Sequence, residues 1–352
     1  MTEKFQAAFY PYENVSIDEM VIGWKGKWKY KQYNPAKPKK YHIKTFGLCD
    51  SITGYVYNLL IYFGKETSYD QNFPASTGQA QKVFEYLLRP LGQGHRVFAD
   101  RYYTTFELIK YLTDHKTYYT GTLMPNRRNF PSELKTLKLN HRDSRWYRSA
   151  NEEILCVAWR DKKARKPCIL VSSKATAKLV KVTKKRSGEV EIPEVVNNYN
   201  YSMNGCDRLD QCVSYYGQFL RKTVKWWKRV FLWLLEVSHY NAFVLYSMTR
   251  DGTKRISIDQ FKRELISELL DQAIDARGLQ LGSASSPGRP RLHCALERFR
   301  DAKHLVKYVP QDRNCVVCST PASRRRTNFV CGGCVSSPHL HPKDCFMKYH
   351  TK

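Results

Sequence analysis

Apolar and polar residues along the first third of the chain fall into short runs of strand length. Residues 15–22 are apolar and rich in β-branched side chains, and residues 41–48 and 55–62 flank Asp50-Ser51-Ile52-Thr53-Gly54, a hairpin-turn composition. Asp50 is expected to serve that turn, because Asx side chains stabilise turns. Residues 79–89 change period, with Val83, Tyr86 and Leu87 on one helical side and Pro90 as a stop. A strand at 96–100, a helix at 104–115 and a strand at 118–123 follow, and this alternation predicts an α/β core. From 125 to 196 the chain turns to charged turns between short strands, clearest at 153–159 and 167–171, and reads as an inserted β-rich unit. After Tyr201 the pattern is helical. Residues 224–246 are apolar on nearly every face, which predicts a buried helix. Ile258, Phe261, Leu265, Leu269 and Ile274 space a second helix, with Gly278 as its stop. Residues 282–291 are a Gly/Ser/Pro-rich linker.

Composition narrows the functional classes. The 352 residues carry 59 Lys plus Arg against 32 Asp plus Glu, a formal charge of +27, which favours a polyanionic partner, nucleic acid above all. With 42% hydrophobic residues the chain can bury a core, so general disorder is excluded. The longest apolar run, residues 230–235, is far short of a membrane span, and no apolar signal core opens the chain, so a soluble intracellular protein without a membrane partner is expected. The 11 Cys are odd in number and five lie within the last forty residues, a metal-site pattern rather than a disulfide framework.

Carboxylates inside strands of so basic a chain need a reason. Asp18 lies within an apolar run and Asp100 ends another, while Asp207 and Asp210 are three apart, on one face if helical. Taken singly, each has an ordinary explanation as an edge charge, an N-cap or a solvated helix face. Together they could hold a pair of divalent cations, which stabilise the attacking and leaving oxygens of phosphodiester chemistry.

The tail carries its own motif. Cys315-x2-Cys318 and Cys331-x2-Cys334 precede His339, His341, Cys345 and His350, eight candidate ligands that suit two tetrahedral Zn²⁺ ions in an interleaved arrangement. His339 is the weakest of the eight, a surface His being the ordinary alternative. A RING-type ubiquitin ligase is the rival for this module, but its second half of close Cys pairs is missing.

The order of motifs decides among these readings. Ser16-Ile17-Asp18-Glu19-Met20, Lys25-Gly26-Lys27, Gln32-Tyr33-Asn34-Pro35 and Lys37-Pro38-Lys39 resemble the opening of the piggyBac transposase catalytic domain. So do Asp50 to Tyr57, Val97-Phe98-Ala99-Asp100 with Tyr103-Thr104, and Tyr199 to Gly205 leading into Asp207-Arg208-Leu209-Asp210-Gln211. Lys225-Trp226-Trp227-Lys228-Arg229 and the Cys/His tail complete a resemblance over about residues 10 to 350. It implies an RNase H-like core, with Asp18, Asp100 and Asp207 as the metal-binding triad and Asp210 as a further required acid. It also implies Mg²⁺- or Mn²⁺-dependent nicking and joining of double-stranded DNA at transposon ends, insertion at TTAA, a homodimer and a nuclear location. Glu19 matches the family strand, but alternation turns it to the opposite face. The chain departs from the family pattern at Gly23-Trp24, Lys27 and Tyr41-His42, and a tail Cys is usual at His341. Family members carry a long N-terminal part before this point, so a truncated or domesticated copy is also expected.

The resulting organisation is an RNase H-like core in residues 1–124 and 197–280, a β-rich insertion at 125–196, a linker at 281–312 and a zinc module at 313–352. The leading function is a piggyBac-like DNA transposase, with a domesticated, catalytically inactive DNA- or chromatin-binding protein as the alternative. Among basic stretches, Arg221, Lys222, Lys225, Lys228 and Arg229 interleave with Trp226 and Trp227 and suit phosphate contacts. Residues 184–186 resemble a nuclear-import signal, Arg324-Arg325-Arg326 a solvated surface, and residues 287–291 either an ordinary linker or a minor-groove Arg hook.

Overall fold

The β-branched run forms β1 (Asn14–Gly23), which pairs antiparallel with β3 (Tyr41–Asp50) and parallel with β5 (Arg96–Ala99). The computed structural model describes residues 1–151, 153–184, 188–217, 223–249, 256–276, 304–334 and 336–351. Their contacts divide the chain into two compact units, Met1–Gln272 and Ala273–Lys352.

In the first unit, nine strands among the described residues form one mixed sheet. β3 also pairs with β2 (Gln32–Tyr33) and β4 (Val56–Ile61), and β5 continues in parallel to β6 (Tyr118–Thr122). The residues expected as a β-rich insertion extend this same sheet: β9 (Cys168–Ser172) pairs with β6, then β8 (Leu155–Arg160) and β7 (Asp143–Arg148) follow to the edge. β10 (Leu179–Lys184) and β11 (Gly188–Pro193) form a separate hairpin. The Asp50 turn forms as expected, with Asp50 Oδ2 accepting from the Ile52 and Thr53 amides at 3.1 and 2.7 Å.

Alternation along β1 builds two cores. Val15 and Ile17 pack with α2 (Gln79–Leu88) and α3 (Phe106–Asp114), both amphipathic. Met20 and Ile22 pack on the other face with α6 (Gly205–Tyr216) and α7 (Trp226–Thr249). The chain is already helical in α5 (Glu194–Ser202), and it opens with α1 (Thr2–Ala8), a helix that the apolar pattern does not predict. A short helix, α4 (Ser132–Lys135), precedes β7.

α7 corrects one expectation. Its Val230, Trp233, Val237, Tyr240 and Val244 are buried, but Trp227 and Phe231 are about half exposed, so one stripe rather than every face meets the core. In α8 (Ile258–Ala276) only the first turn is well buried, through Ile258, Phe261 and Lys262, while Leu269 is exposed. Lys262 forms a buried ion pair with Glu236 of α7 at 3.0 Å and also donates to Tyr216 O at 2.7 Å. The Gly278 stop and the linker residues up to 303 lie outside the described residues.

The second unit contains the antiparallel pair β12 (Val306–Asn314) and β13 (Arg326–Cys331), followed by α9 (Asp344–Thr351). No described helix is long and apolar enough to cross a membrane.

Candidate active site and metal centres

Sheet register brings the first two acids together. Ile17 is opposite Ala99 in the parallel β1–β5 pair, so Asp18 and Asp100 follow at neighbouring positions where both strands point the same way. This is the carboxyl end of parallel strands, where open α/β sheets place their ligand crevices. Asp18 Oδ1 accepts from the Glu19 amide at 2.7 Å. Asp100 Oδ1 accepts from the Arg101 amide at 2.6 Å and from Thr122 Oγ1 of β6 at 3.2 Å.

The third acid comes from α6. Its first residue, Gly205, lies so close to β1 and β3 that an added Cβ would collide with Ser16 Oγ and come within 2.9 Å of Cys49 Cβ. Absence of a side chain therefore lets the helix start against the sheet, and Cys206 Sγ seats 3.4 Å from Cys49 Sγ. Asp207 lies in the first helical turn, where the helix dipole favours a carboxylate.

Electrostatics tie these elements into one cluster. Burial pushes the Asp18 carboxyl up to about 7; the Glu19 amide and Lys37 oppose this, and the charges of Asp207 and Asp100 add to it. Asp210 is also raised, to about 6, mainly by burial; Lys39, the Val21 backbone and Lys37 oppose it and Asp207 adds. Asp210 Oδ1 and Asn204 Oδ1 are buried without a hydrogen-bond partner. Glu19 is engaged elsewhere, with Lys44 and with Lys37 at 3.9 Å. Tyr103, whose buried hydroxyl also has no partner, and Tyr199 stand in the same field: burial raises both phenols, Asp18 and Glu19 adding at Tyr103, and Asp100 and Asp18 adding at Tyr199 against an opposing hydrogen bond with Thr122. Both tyrosines stand in the quoted motifs, but nothing in their spacing marks them as neighbours of the acids.

The second unit assembles two Cys/His groups, each with its ligand atoms within 4.8 Å of one another: Cys315, Cys318, His341 and Cys345, and His304, Cys331, Cys334 and His350. Either set could hold zinc. No trio of the Asp carboxylates closes to that distance among the described residues. The Cys/His groups interleave along the chain. His341 Nδ1 is 3.3 Å from Cys318 Sγ, and its Nε2 meets Arg326 O at 3.1 Å. His350 Nδ1 donates to Phe346 O at 2.7 Å, leaving Nε2, 3.6 Å from Cys334 Sγ, to face the centre. Burial opposes ionisation of the Cys315 thiol, but the amides of Cys318, Val317 and His341 and the His341 ring outweigh it and bring it to about 6.

His339 is not in either group. Its Nδ1 is 2.9 Å from Thr327 O, and His304 takes the eighth position, with Nδ1 3.4 Å from Cys331 Sγ. Antiparallel pairing of Val306 with Cys331 carries His304 there.

Residues 1–243 match the family described as Transposase IS4. The chain belongs to the piggyBac-type transposase family. Among curated relatives, PiggyBac transposable element-derived protein 3 of Homo sapiens is 24% identical over 357 residues, which cover 98% of this chain and 56% of that protein. The Chimeric ERCC6-PGBD3 protein of Homo sapiens is equally similar, with 32% of its length covered. The chain thus spans about half or less of these relatives. The cryo-EM structure of a piggyBac transposase synaptic complex with hairpin DNA shares the fold, with a TM-score of 0.66 and 23% identity over 86% of this chain and 65% of that chain.

The basic cluster interleaved with Trp226 and Trp227 is only partly within the described residues, because Arg221 and Lys222 lie outside them. Lys225 and Lys228 are exposed, whereas Arg229 is partly buried and donates from Nε to Gly23 O at 3.1 Å. Trp226 stacks on Trp28 with centroids 5.0 Å apart, which ties the start of α7 to the loop after β1.

Proposed function

We propose that this chain carries the catalytic region of a piggyBac-like DNA transposase that cleaves and joins DNA strands at TTAA targets. The observation that carries the reading is that the charges of Asp207, at the start of α6, and Asp100, at the end of β5, both act on the buried Asp18 carboxyl of β1, inside a chain of +27 charge. An RNase H-like core is the fold behind it, supported by the sheet order β4-β3-β1-β5-β6 with β1, β5 and β6 parallel.

The donors fit a hard divalent cation. They are carboxylate oxygens, Asp18 is disfavoured as a bare anion, and Asp210 Oδ1 and Asn204 Oδ1 are buried without partners. Asp18, Asp100 and Asp207 would hold Mg²⁺ or Mn²⁺, which when bound supplies Lewis-acid stabilisation of the oxygens in phosphodiester exchange. The chain's own groups position those acids. Thr122 and the Arg101 amide fix the Asp100 carboxylate, the Glu19 amide fixes Asp18, and Gly205 sets α6 against the sheet. Asp210, facing Lys39 and Lys37, is the further required acid. The two Cys/His groups would each bind Zn²⁺ and hold the C-terminal unit folded for contact with terminal-repeat DNA.

Double-stranded DNA as partner, a homodimer and a nuclear location belong to this reading. The experiment is Mn²⁺-dependent nicking and joining on DNA containing TTAA, parent against Asp100→Asn. Nicking that disappears in the variant is expected. A second reading, a DNA-binding protein without catalysis, is favoured by the similarity to a transposable element-derived protein. DNA binding with no nicking would establish that reading instead.

A further inference from the structure

At the outer ends of β1 and the β2–β3 hairpin lies a cleft of about 680 Å³ walled by Trp24, Lys25, Lys39, Lys40, Tyr41 and Arg229. The proposed catalysis uses only Lys39 of these walls, opposite Asp210, and leaves the cleft itself without a role. Among the described residues, no acidic side chain lines it. Its cations are held, not loose: Arg229 Nε is bonded to Gly23 O, and the Lys39 stem crosses Gly23, where an added Cβ would meet Lys39 Cδ at 3.1 Å. Burial pulls the Lys39 ammonium below its ordinary range, with Asp210 opposing and Arg229 adding to the effect, so a bound anion would relieve it. Trp24 is 5% exposed, yet its indole Nε1 has no hydrogen-bond partner.

An aromatic platform adjoins it. Tyr41 and Tyr33 are 44% and 59% exposed, their centroids are 4.8 Å apart, and Lys31 Nζ stands 5.3 Å from the Tyr41 ring. Exposed rings beside cations offer stacking to any base, but only to one that has left its duplex, since paired bases already stack on their neighbours.

We infer that this cleft binds a nucleotide of single-stranded DNA, its phosphate among Lys25, Lys39, Lys40 and Arg229 and its base on the Tyr33/Tyr41 platform. The inference rests on the reading of DNA as substrate and names the form of DNA this surface takes. Lys39 also feels Asp210, so the bound strand lies close to the acid cluster.

The test is fluorescence anisotropy of the full chain with labelled oligothymidylate and with a labelled duplex, without added divalent metal so that no strand is cut. Tyr33→Ala/Tyr41→Ala is expected to weaken single-strand binding roughly tenfold and leave duplex binding within about twofold. Lys39→Gln/Lys40→Gln is expected to weaken it too and to flatten the slope of log K against log salt by about 0.7 for each phosphate that is no longer neutralised. Equal weakening on both DNA forms, no weakening on either, or weakening with the lysine pair alone would each overturn the assignment. Nicking is measured separately. A chain that never nicks but shows the expected weakening keeps the cleft and loses the transposase reading; a chain that nicks with unaltered single-strand binding does the reverse.

Discussion

Replacing Asp18 by Asn tests whether the acid cluster is held as the structure has it. The substitution keeps the oxygen that accepts the Glu19 amide and removes one charge from a buried site shared with Asp207 and Asp100, where Lys37 supplies the opposing positive charge. A carboxyl raised from 3.8 to about 7 in the fold disfavours the folded state by about 4 kcal/mol once it is ionised. The sign follows from the raised value. Below the unfolded value of 3.8 the group is protonated in both states and its contribution is fully present; that contribution is lost as pH rises through about 7. The metal-free parent and Asp18→Asn should therefore melt together near pH 4 and diverge up to pH 8, where the variant gains roughly 5–10 °C for a unit of this size. Differential scanning fluorimetry across that range measures the difference directly. Mg²⁺ or Mn²⁺ at about a hundredfold over its Kd should then restore about 2.7 kcal/mol to the parent at pH 8 and much less to the variant. A difference that stays flat from pH 4 to 8 would refute the argument that burial and the neighbouring acids act on Asp18.

His304→Ala should lower zinc from two ions per chain to about one by metal analysis, whereas His339→Ala should leave it unchanged, because of these two histidines His304 alone joins a Cys/His group. Gly205→Ala should cost about 1–3 kcal/mol in urea unfolding, since its methyl group would enter Ser16 Oγ, and should depress nicking further by moving Asp207. Breaking the buried pair with Glu236→Gln should cost about 3–5 kcal/mol by leaving Lys262 charged and unmatched, while an apolar pair at both positions should recover most of it. Cys331→Ser should make the C-terminal unit protease-sensitive; unchanged resistance would count against a structural metal there.

Much of the first unit was legible because its elements are locally determined. The β-branched run at 15–22, the Asp50 turn and the amphipathic helices around Val83 and Leu108 carry their period and their stops within a few residues. α7 was legible as a helix but not in its exposure. Its all-round apolar pattern predicts full burial, yet only the stripe from Val230 to Val244 meets the sheet, and Trp227 and Phe231 stay about half exposed. α8 shows the same limit, with Leu269 periodic in sequence and exposed in the fold.

The sequence by itself determined the kinds of chemistry available: carboxylates in a basic chain, two Cys-x2-Cys pairs, and motifs in the order of one family. Residue identity and short spacings hold that information. What only the tertiary structure decided is which of these groups meet. Asp18 and Asp100 take neighbouring register positions because β1 pairs in parallel with β5, and the charge of Asp207 reaches Asp18 because Gly205 permits a close helix start. His304 becomes a ligand candidate through the β12–β13 register, and Gly23 and Trp24, at the end of β1, and Tyr41, at the start of β3, become the wall of one cleft. Each of these encounters is set by pairing register or by packing over tens to hundreds of residues. No local periodicity encodes a contact of that range.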